Sequence, residues 1–182
     1  MFVQKISIAE QYIELISPEI SHADISLEWV SGKDGRELLE KMGNNLPKDW
    51  TPSIEEERDR IIDFIHGENE VNWAIEYQGE IIGAVWLSLE PDKLIGPHIM
   101  IADKSVYGRG IATSVMQAVC GWALTDKTGS ASRFNHKELI TRCRVDNVPI
   151  ILVNEKIGFK PTGETYKEDG FTWQNYIMKK AR

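Results

Sequence analysis

Residues 99–113 constrain this chain more than any other stretch. Ile99-Met100-Ile101-Ala102 is an apolar run of strand character, Asp103 to Gly110 (DKSVYGRG) is a polar turn with two glycines, and Ile111-Ala112-Thr113 opens a helix. Ile111, Val115, Val119 and Trp122 recur at the helical period. A helix that restarts from such a turn leaves its first N–H groups without internal partners, and its dipole adds positive potential at the same point. Glycine lets an anion approach the backbone where a side chain would hold it off. The feature is a candidate nucleotide-phosphate site. It is not the dinucleotide fingerprint, because Gly108-Arg109-Gly110-Ile111-Ala112-Thr113 lacks the third glycine and follows the fourth strand read from the sequence. No Walker lysine follows it.

The rest of the chain reads as alternating elements. Tyr12 to Ser17 is a first strand, and Asp24 to Val30 and Gly35 to Met42 are short helices. Ser53 and Glu56 have capping-box spacing at the start of a helix that carries Ile54, Ile61, Ile62 and Ile65 and stops at Gly67. Val71 to Tyr77 and Glu80 to Leu89 are strands split by Gln78-Gly79, a hairpin signal. Leu94 to Ala102 is the fourth strand. Asp126 to His136 (DKTGSASRFNH) reads as a mobile polar loop, followed by a fifth strand at Leu139 to Val145, a helix at Val148 to Lys156 ended by Gly158, and a last strand at Phe171 to Lys179. The length of 182 residues suits one domain, residues 1–182.

Composition narrows the partners. Net charge is −7, unevenly spread: Met1 to Met100 carry 8 Lys+Arg against 20 Asp+Glu, and Ile101 to Arg182 carry 13 against 8. The basic half bears the glycine turn, which suits a polyanionic cosubstrate, and the acidic half suits a cationic acceptor. Nucleic acid is a poor partner for this balance. No apolar stretch approaches a membrane span, and Met1 to Ser17 lacks an export-type apolar core, so no membrane partner and a cytoplasmic location are expected. Cys120 and Cys143 read as reduced packing thiols, and the scattered His22, His66, His98 and His136 offer no zinc spacing, so no metal is expected.

The order of elements and the turn resemble the GNAT superfamily of acyl-CoA-dependent N-acetyltransferases. Tyr107-Gly108-Arg109-Gly110-Ile111-Ala112 fills that family's Gln/Arg-x-x-Gly-x-Gly/Ala frame, with Tyr107 in place of Gln or Arg. Ile101 to Gly110 is similar to the Ile-Gly-Asp-Lys-x-Tyr-Trp-Gly-Lys-Gly segment of its ribosomal-protein and polyamine N-acetyltransferase branch. Asn147 followed by Val153-Asn154-Glu155-Lys156-Ile157-Gly158-Phe159 resembles that branch's second motif, with Ile150 where it has Ser. Gly163-Glu164 and Tyr176-Ile177-Met178 fit its last two strands.

The resemblance implies an α/β (α+β) single-domain fold. Its mixed, mostly antiparallel sheet of about seven strands is splayed between the fourth and fifth and flanked by helices. It implies acetyl-CoA as cosubstrate, with pantetheine beside Met100, Ile101 and Ala102, and pyrophosphate on the N–H groups of Gly108, Arg109, Gly110, Ile111, Ala112 and Thr113 next to Tyr107. Arg109 or Lys104 would add charge, and Asn147 and Asn154 would lie on the cofactor side. The base and acid positions of the family depart from pattern, since Gly96 stands where a glutamate is usual and Asn154 where a tyrosine is usual. His98, two residues on and on the same side of a strand, is the candidate base, and Asn154 the candidate partner of the leaving sulfur. The expected activity is direct transfer of acetyl, in a ternary complex, to a primary amine: a protein N-terminus, a polyamine, an aminoglycoside or another small amine. The alternative is a catalytically weak acetyl-CoA-binding or regulatory module, and the assembly expected is a monomer or homodimer.

Overall fold

The computed structural model describes residues 6–8, 12–89, 95–125 and 137–180. The strands are β1 (Ile6–Ile8), β2 (Ile13–Ile16), β3 (Glu70–Tyr77), β4 (Glu80–Leu89), β5 (Ile95–Ile101), β6 (Glu138–Arg144), β7 (Lys160–Glu168) and β8 (Phe171–Lys179). The helices are α1 (His22–Val30), α2 (Gly32–Lys41), α3 (Ile54–His66), α4 (Ile111–Thr125) and α5 (Val148–Ile157). All eight strands form one sheet in the order β1-β2-β3-β4-β5-β6-β8-β7. Every neighbouring pair is antiparallel except β5 and β6.

Two strands exceed what the sequence pattern showed. β1 is three residues long, and β7 is polar and exposed along almost its whole length, so neither has an apolar alternation to read. The sheet therefore has eight strands rather than about seven, and the strands expected to part, the fourth and fifth, are β5 and β6. The 126–136 loop lies outside the described residues.

Local chemistry fixes the elements around the site. The Ser53 side chain accepts from the Glu56 N–H and the Glu56 carboxylate accepts from the Ser53 N–H, the reciprocal capping box that starts α3. Gln78 and Gly79 both take positive φ, the geometry of a tight hairpin between β3 and β4. α4 lays Ile111, Val115, Met116, Val119, Cys120 and Ala123 on one face of the sheet, over Val85, Leu87, Ile95 and Leu139. α1 and α3 pack together on the opposite face, where Asn72 of β3 donates to the Phe64 carbonyl. Trp73 is fully buried and meets Trp122 of α4 edge-on at 5.3 Å between ring centroids.

β5 and β6 hold together at one end and part at the other. The single parallel bridge is Ile95↔Leu139, and beyond it the Thr141 hydroxyl donates to the Pro97 carbonyl at 3.3 Å. That carbonyl faces β6, so the Pro97 nitrogen, on the same edge of the strand, faces β6 as well and has no hydrogen to give. A proline sits inside a central strand because the ladder stops there. Among the described residues, no helix is long and apolar enough to cross a membrane.

Candidate active site

The split between β5 and β6 is a cavity of about 620 Å³. α4 and α5 wall it on one face of the sheet. On the other, Leu38 and Met42 at the end of α2, together with Trp173 of β8, close over it. That end of α2 is tied down by the Asn147 Nδ2 donating to the Lys41 carbonyl at 3.1 Å and by the Arg144 guanidinium donating to the Glu40 carbonyl. Asn147 thus precedes α5 without capping it, since its side chain makes no cap hydrogen bond.

The floor of the cavity is the main chain of β5. Ala102 N–H bonds the Ile82 carbonyl of β4 at 2.9 Å, so by strand alternation the main chains of Met100 and His98 also face β4. Ile99 and Ile101 face the split. Their N–H groups, rather than those of Met100 and Ala102, are the ones the strand offers to a ligand. The Ile101 carbonyl already accepts the Tyr107 hydroxyl at 2.9 Å, which pins the loop to the strand end. Burial pushes the Tyr107 phenol above its ordinary pKa, so it remains a donor at neutral pH.

The loop turns through a short 3-10 segment, Lys104–Val106, whose start is capped by Asp103 accepting from the Ser105 N–H. Arg109 N–H turns inward to the Val106 carbonyl. Among the described residues the N–H groups of Gly108, Gly110, Ile111, Ala112 and Thr113 have no main-chain acceptor; the first helical bond is from Ser114 to the Gly110 carbonyl. Gly108 and Gly110 adopt φ of 76° and 79°, which aims these amides outward, and a Cβ on Gly108 would meet nothing within 4 Å. The turn is an open cradle for an anion. The candidates Ala102 and Arg109 are absent from the described lining. Lys104 is spent on an ion pair with Asp34 of α2 at 2.9 Å, which holds the Asp34 carboxyl below its ordinary pKa.

His98 lines the same cavity from the α3 face. Its ring stacks on Trp86 at 5.1 Å and an interplanar angle of 10°, and its Nε2 shares a 2.8 Å hydrogen bond with the Ser88 hydroxyl. Ser88 carries no signal of a site residue in the sequence, whereas Trp86 is readable there as a core residue or a pocket wall; both arrive beside His98 from β4 by cross-strand register. Asn154 is buried at 1% exposure on α5. Its Nδ2 turns to the Cys143 sulfur at 4.0 Å and its Oδ1 has no partner among the described residues. The cavity is therefore offered an acceptor oxygen, so in this rotamer the amide is set to receive an N–H rather than to donate to a leaving sulfur.

Cys143 also lines the cavity, and burial pushes its thiol to about 11, while deeper burial takes Cys120 to about 12. At pH 8 only about 0.1% of the Cys143 thiol and about 0.01% of the Cys120 thiol is then ionised. Alkylation of the native protein by iodoacetamide at pH 8 is therefore expected to run at least a hundredfold slower than that of free cysteine, and to recover in denaturant. Native labelling at the free-cysteine rate would contradict this account of both thiols.

A sheet opened between two parallel strands, with an amide-lined helix start at the opening, defines a coenzyme A-type acyltransferase fold. The chain belongs to the acetyltransferase (GNAT) domain family, whose model matches residues 13–160. It is a GNAT-type N-acetyltransferase. No curated relative matches the sequence. Among solved structures, RimL, the ribosomal L7/L12 alpha-N-protein acetyltransferase in complex with coenzyme A, is similar over 97% of this chain and 98% of that one, with a TM-score of 0.72 at 21% identity. The spermidine N-acetyltransferase from Vibrio cholerae in complex with CoA and spermine gives 0.74 at 16% identity, over 92% and 95%. The microcin C7 self immunity acetyltransferase MccE in complex with acetyl-CoA and AMP gives 0.71 at 15% identity, over 92% of each chain.

Proposed function

We propose that residues 1–182 work as one catalytic domain that acetylates a primary amine by direct attack in a ternary complex. The observation that carries this reading is the row of five outward N–H groups at residues 108 and 110–113, beside a split lined from both faces of the sheet. Gly108 to Thr113 would hold the diphosphate, helped by the positive end of α4. The N–H groups of Ile99 and Ile101 would pair with the extended pantetheine arm and polarise the thioester carbonyl. The unpartnered Asn154 oxygen suits an amide N–H of the same arm. The bound donor supplies an activated acyl carbon whose C–S bond breaks as an N–C bond to the amine forms. The two thiols, buried and reduced, suit the cytosol.

His98 and Ser88 are the proton-handling pair. The imidazole takes the proton that the ammonium must lose before it can attack, the Ser88 hydroxyl fixes the ring through Nε2, and Trp86 fixes its plane. No acid side chain stands at the Asn154 position, so the second proton, which the attacking nitrogen sheds as the amide forms, reaches the departing thiolate through water. Release of CoA thiol is expected when acetyl-CoA meets a suitable amine. His98→Ala is expected to lower kcat/KM by about 10²-fold near neutral pH, within the usual range for losing a general base. The loss shrinks above about pH 9, where more of the amine is deprotonated unaided. An unaltered pH–rate profile in that variant would remove His98 from the mechanism. Tight acetyl-CoA binding without turnover on any amine would instead indicate the binding-module alternative.

A further inference from the structure

Among the described residues, every charged side chain that lines the cavity is a cation: Lys41 at the end of α2, Arg142 on β6 and Lys156 on α5. No aspartate or glutamate lines it, although the first hundred residues carry a large acidic surplus. Of the carboxylates nearby, Glu40 pairs with Arg36 and Asp146 with Arg144, Glu168 pairs with Arg142 itself, and Glu155, next to Lys156, stands close enough to act on Cys143 and Tyr176 without lining the cavity. The register places Arg142 with care. Counting three residues along each strand from the Ile95↔Leu139 bridge reaches His98 on one lip of the split and Arg142 on the other, and alternation puts both on the face away from α4. The guanidinium lies 4.5 Å above the centre of the Trp173 ring, which holds its plane, and Glu168 and the Tyr166 hydroxyl together engage only part of its five-donor fork.

Resting on the amine acetyltransferase reading above, we propose that the acceptor carries an anionic group, a carboxylate close to the reacting nitrogen, and that Arg142 with Lys41 reads it. An ammonium approaching His98 alone finds no carboxylate on the lining to receive it and meets Lys41 together with Arg142, whose charge Glu168 only partly offsets. The same ammonium joined to a carboxylate brings its own counter-charge, and a planar guanidinium stacked on an indole is built to accept one in a bidentate pair. A polyamine adds further cations where the lining provides nothing to receive them. Two sources share this chemistry, a peptide N-terminus followed by acidic residues and a free acidic amino acid.

The test uses the full chain saturated with acetyl-CoA and four acceptors: a hexapeptide with aspartate at its second and third positions, the same peptide with lysine there, free aspartate, and spermidine. Each preference is a ratio of kcat/KM values on one preparation, so the fraction folded cancels. The acidic peptide or aspartate is expected to exceed the lysine peptide and spermidine by tenfold or more, and the better of the two identifies the source. Arg142→Glu is expected to lower the acidic-to-basic ratio by about 10²-fold, and Lys41→Glu to move it the same way by less. Calorimetric affinity of the preferred acidic acceptor for the CoA-loaded protein should fall at least tenfold in Arg142→Gln. A preference for spermidine or the lysine peptide, or a ratio that Arg142→Glu leaves unmoved, overturns the proposal while the acetyltransferase reading stands. Thiol release stimulated by none of the four overturns both.

Discussion

Replacing Ala112 with glutamate is expected to weaken acetyl-CoA binding by about 10²-fold or more without loosening the fold. Ala112 lines the cavity in the first turn of α4, between two of the outward N–H groups. A carboxylate there stands near the place proposed for two phosphate charges. A like-charge pair at about 5 Å costs about 3 kcal/mol at an effective dielectric of about 20, and solvent screening trims that toward the 2.7 kcal/mol of a hundredfold change. The same carboxylate is welcome to the helix itself, because a negative charge near an N-terminus stabilises it by about 0.3–1 kcal/mol. Affinity and stability therefore move in opposite directions, a signature that general damage cannot produce. Isothermal calorimetry with CoA and a thermal melt of the same sample check it. Acetyl-pantetheine, which lacks the diphosphate, should bind the variant and the parent alike. Gly110→Trp should also abolish CoA binding, but φ of 79° at that position adds backbone strain, which makes it the less clean variant. Unchanged CoA affinity in Ala112→Glu would mean that the diphosphate does not lie on this helix start.

What the sequence disclosed and what it concealed divide along physical lines. Periodicity, caps and turns are local, so the capping box at Ser53 and Glu56, the Gln78-Gly79 hairpin and the run from Ile99 through the glycine turn into α4 all stand where the residues place them. β7 was legible only through the family resemblance, because an exposed edge strand with a register shift between Thr162 and Tyr166 has no alternation to detect. Pro97 did carry a signal: a proline in the middle of an otherwise apolar strand marks the point where a central strand loses a partner. The part of the cavity lining opposite α4 and α5 was hidden for a different reason. Leu38, Met42, Arg142 and Trp173 are brought together from α2, β6 and β8, and no spacing in the chain encodes their meeting. A surplus of charge counted along the chain likewise says nothing about which charges line the cavity, where Lys41, Arg142 and Lys156 do.

Gly83→Val is expected to cost about 3 kcal/mol of stability, or to prevent folding outright. A Cβ built on Gly83 would lie 2.1 Å from the Met100 carbonyl oxygen and 3.0 Å from the Ile101 Cα, both main-chain atoms of β5 that no rotamer change can clear. The position is tight because β4 is irregular just before it. Gly83 pairs with Ile75 while Ile81 pairs with Glu76, so Ile82 is an extra residue in β4. That bulge turns the Ile82 carbonyl toward the end of β5, where it accepts from both Ala102 and Asp103 and starts the loop. Gly83 is then pressed against the next turn of the neighbouring backbone. A side chain must push β5 away from β4, which forfeits ladder hydrogen bonds and shifts the Ile99 and Ile101 amides that face the split. Overpacking of this kind costs about 1–3 kcal/mol where side chains can yield, and a contact with main chain lies at or beyond the upper end. Urea unfolding of Gly83→Ala and Gly83→Val should show the denaturation midpoint falling in both, further in valine. Folded Gly83→Ala should also lose kcat/KM with acetyl-CoA beyond any loss of folded fraction, because the displaced strand is the one proposed to orient the thioester. A midpoint unchanged in both variants would show that β4 and β5 do not approach each other this closely, and would remove the link between the Ile82 bulge and the geometry of the split.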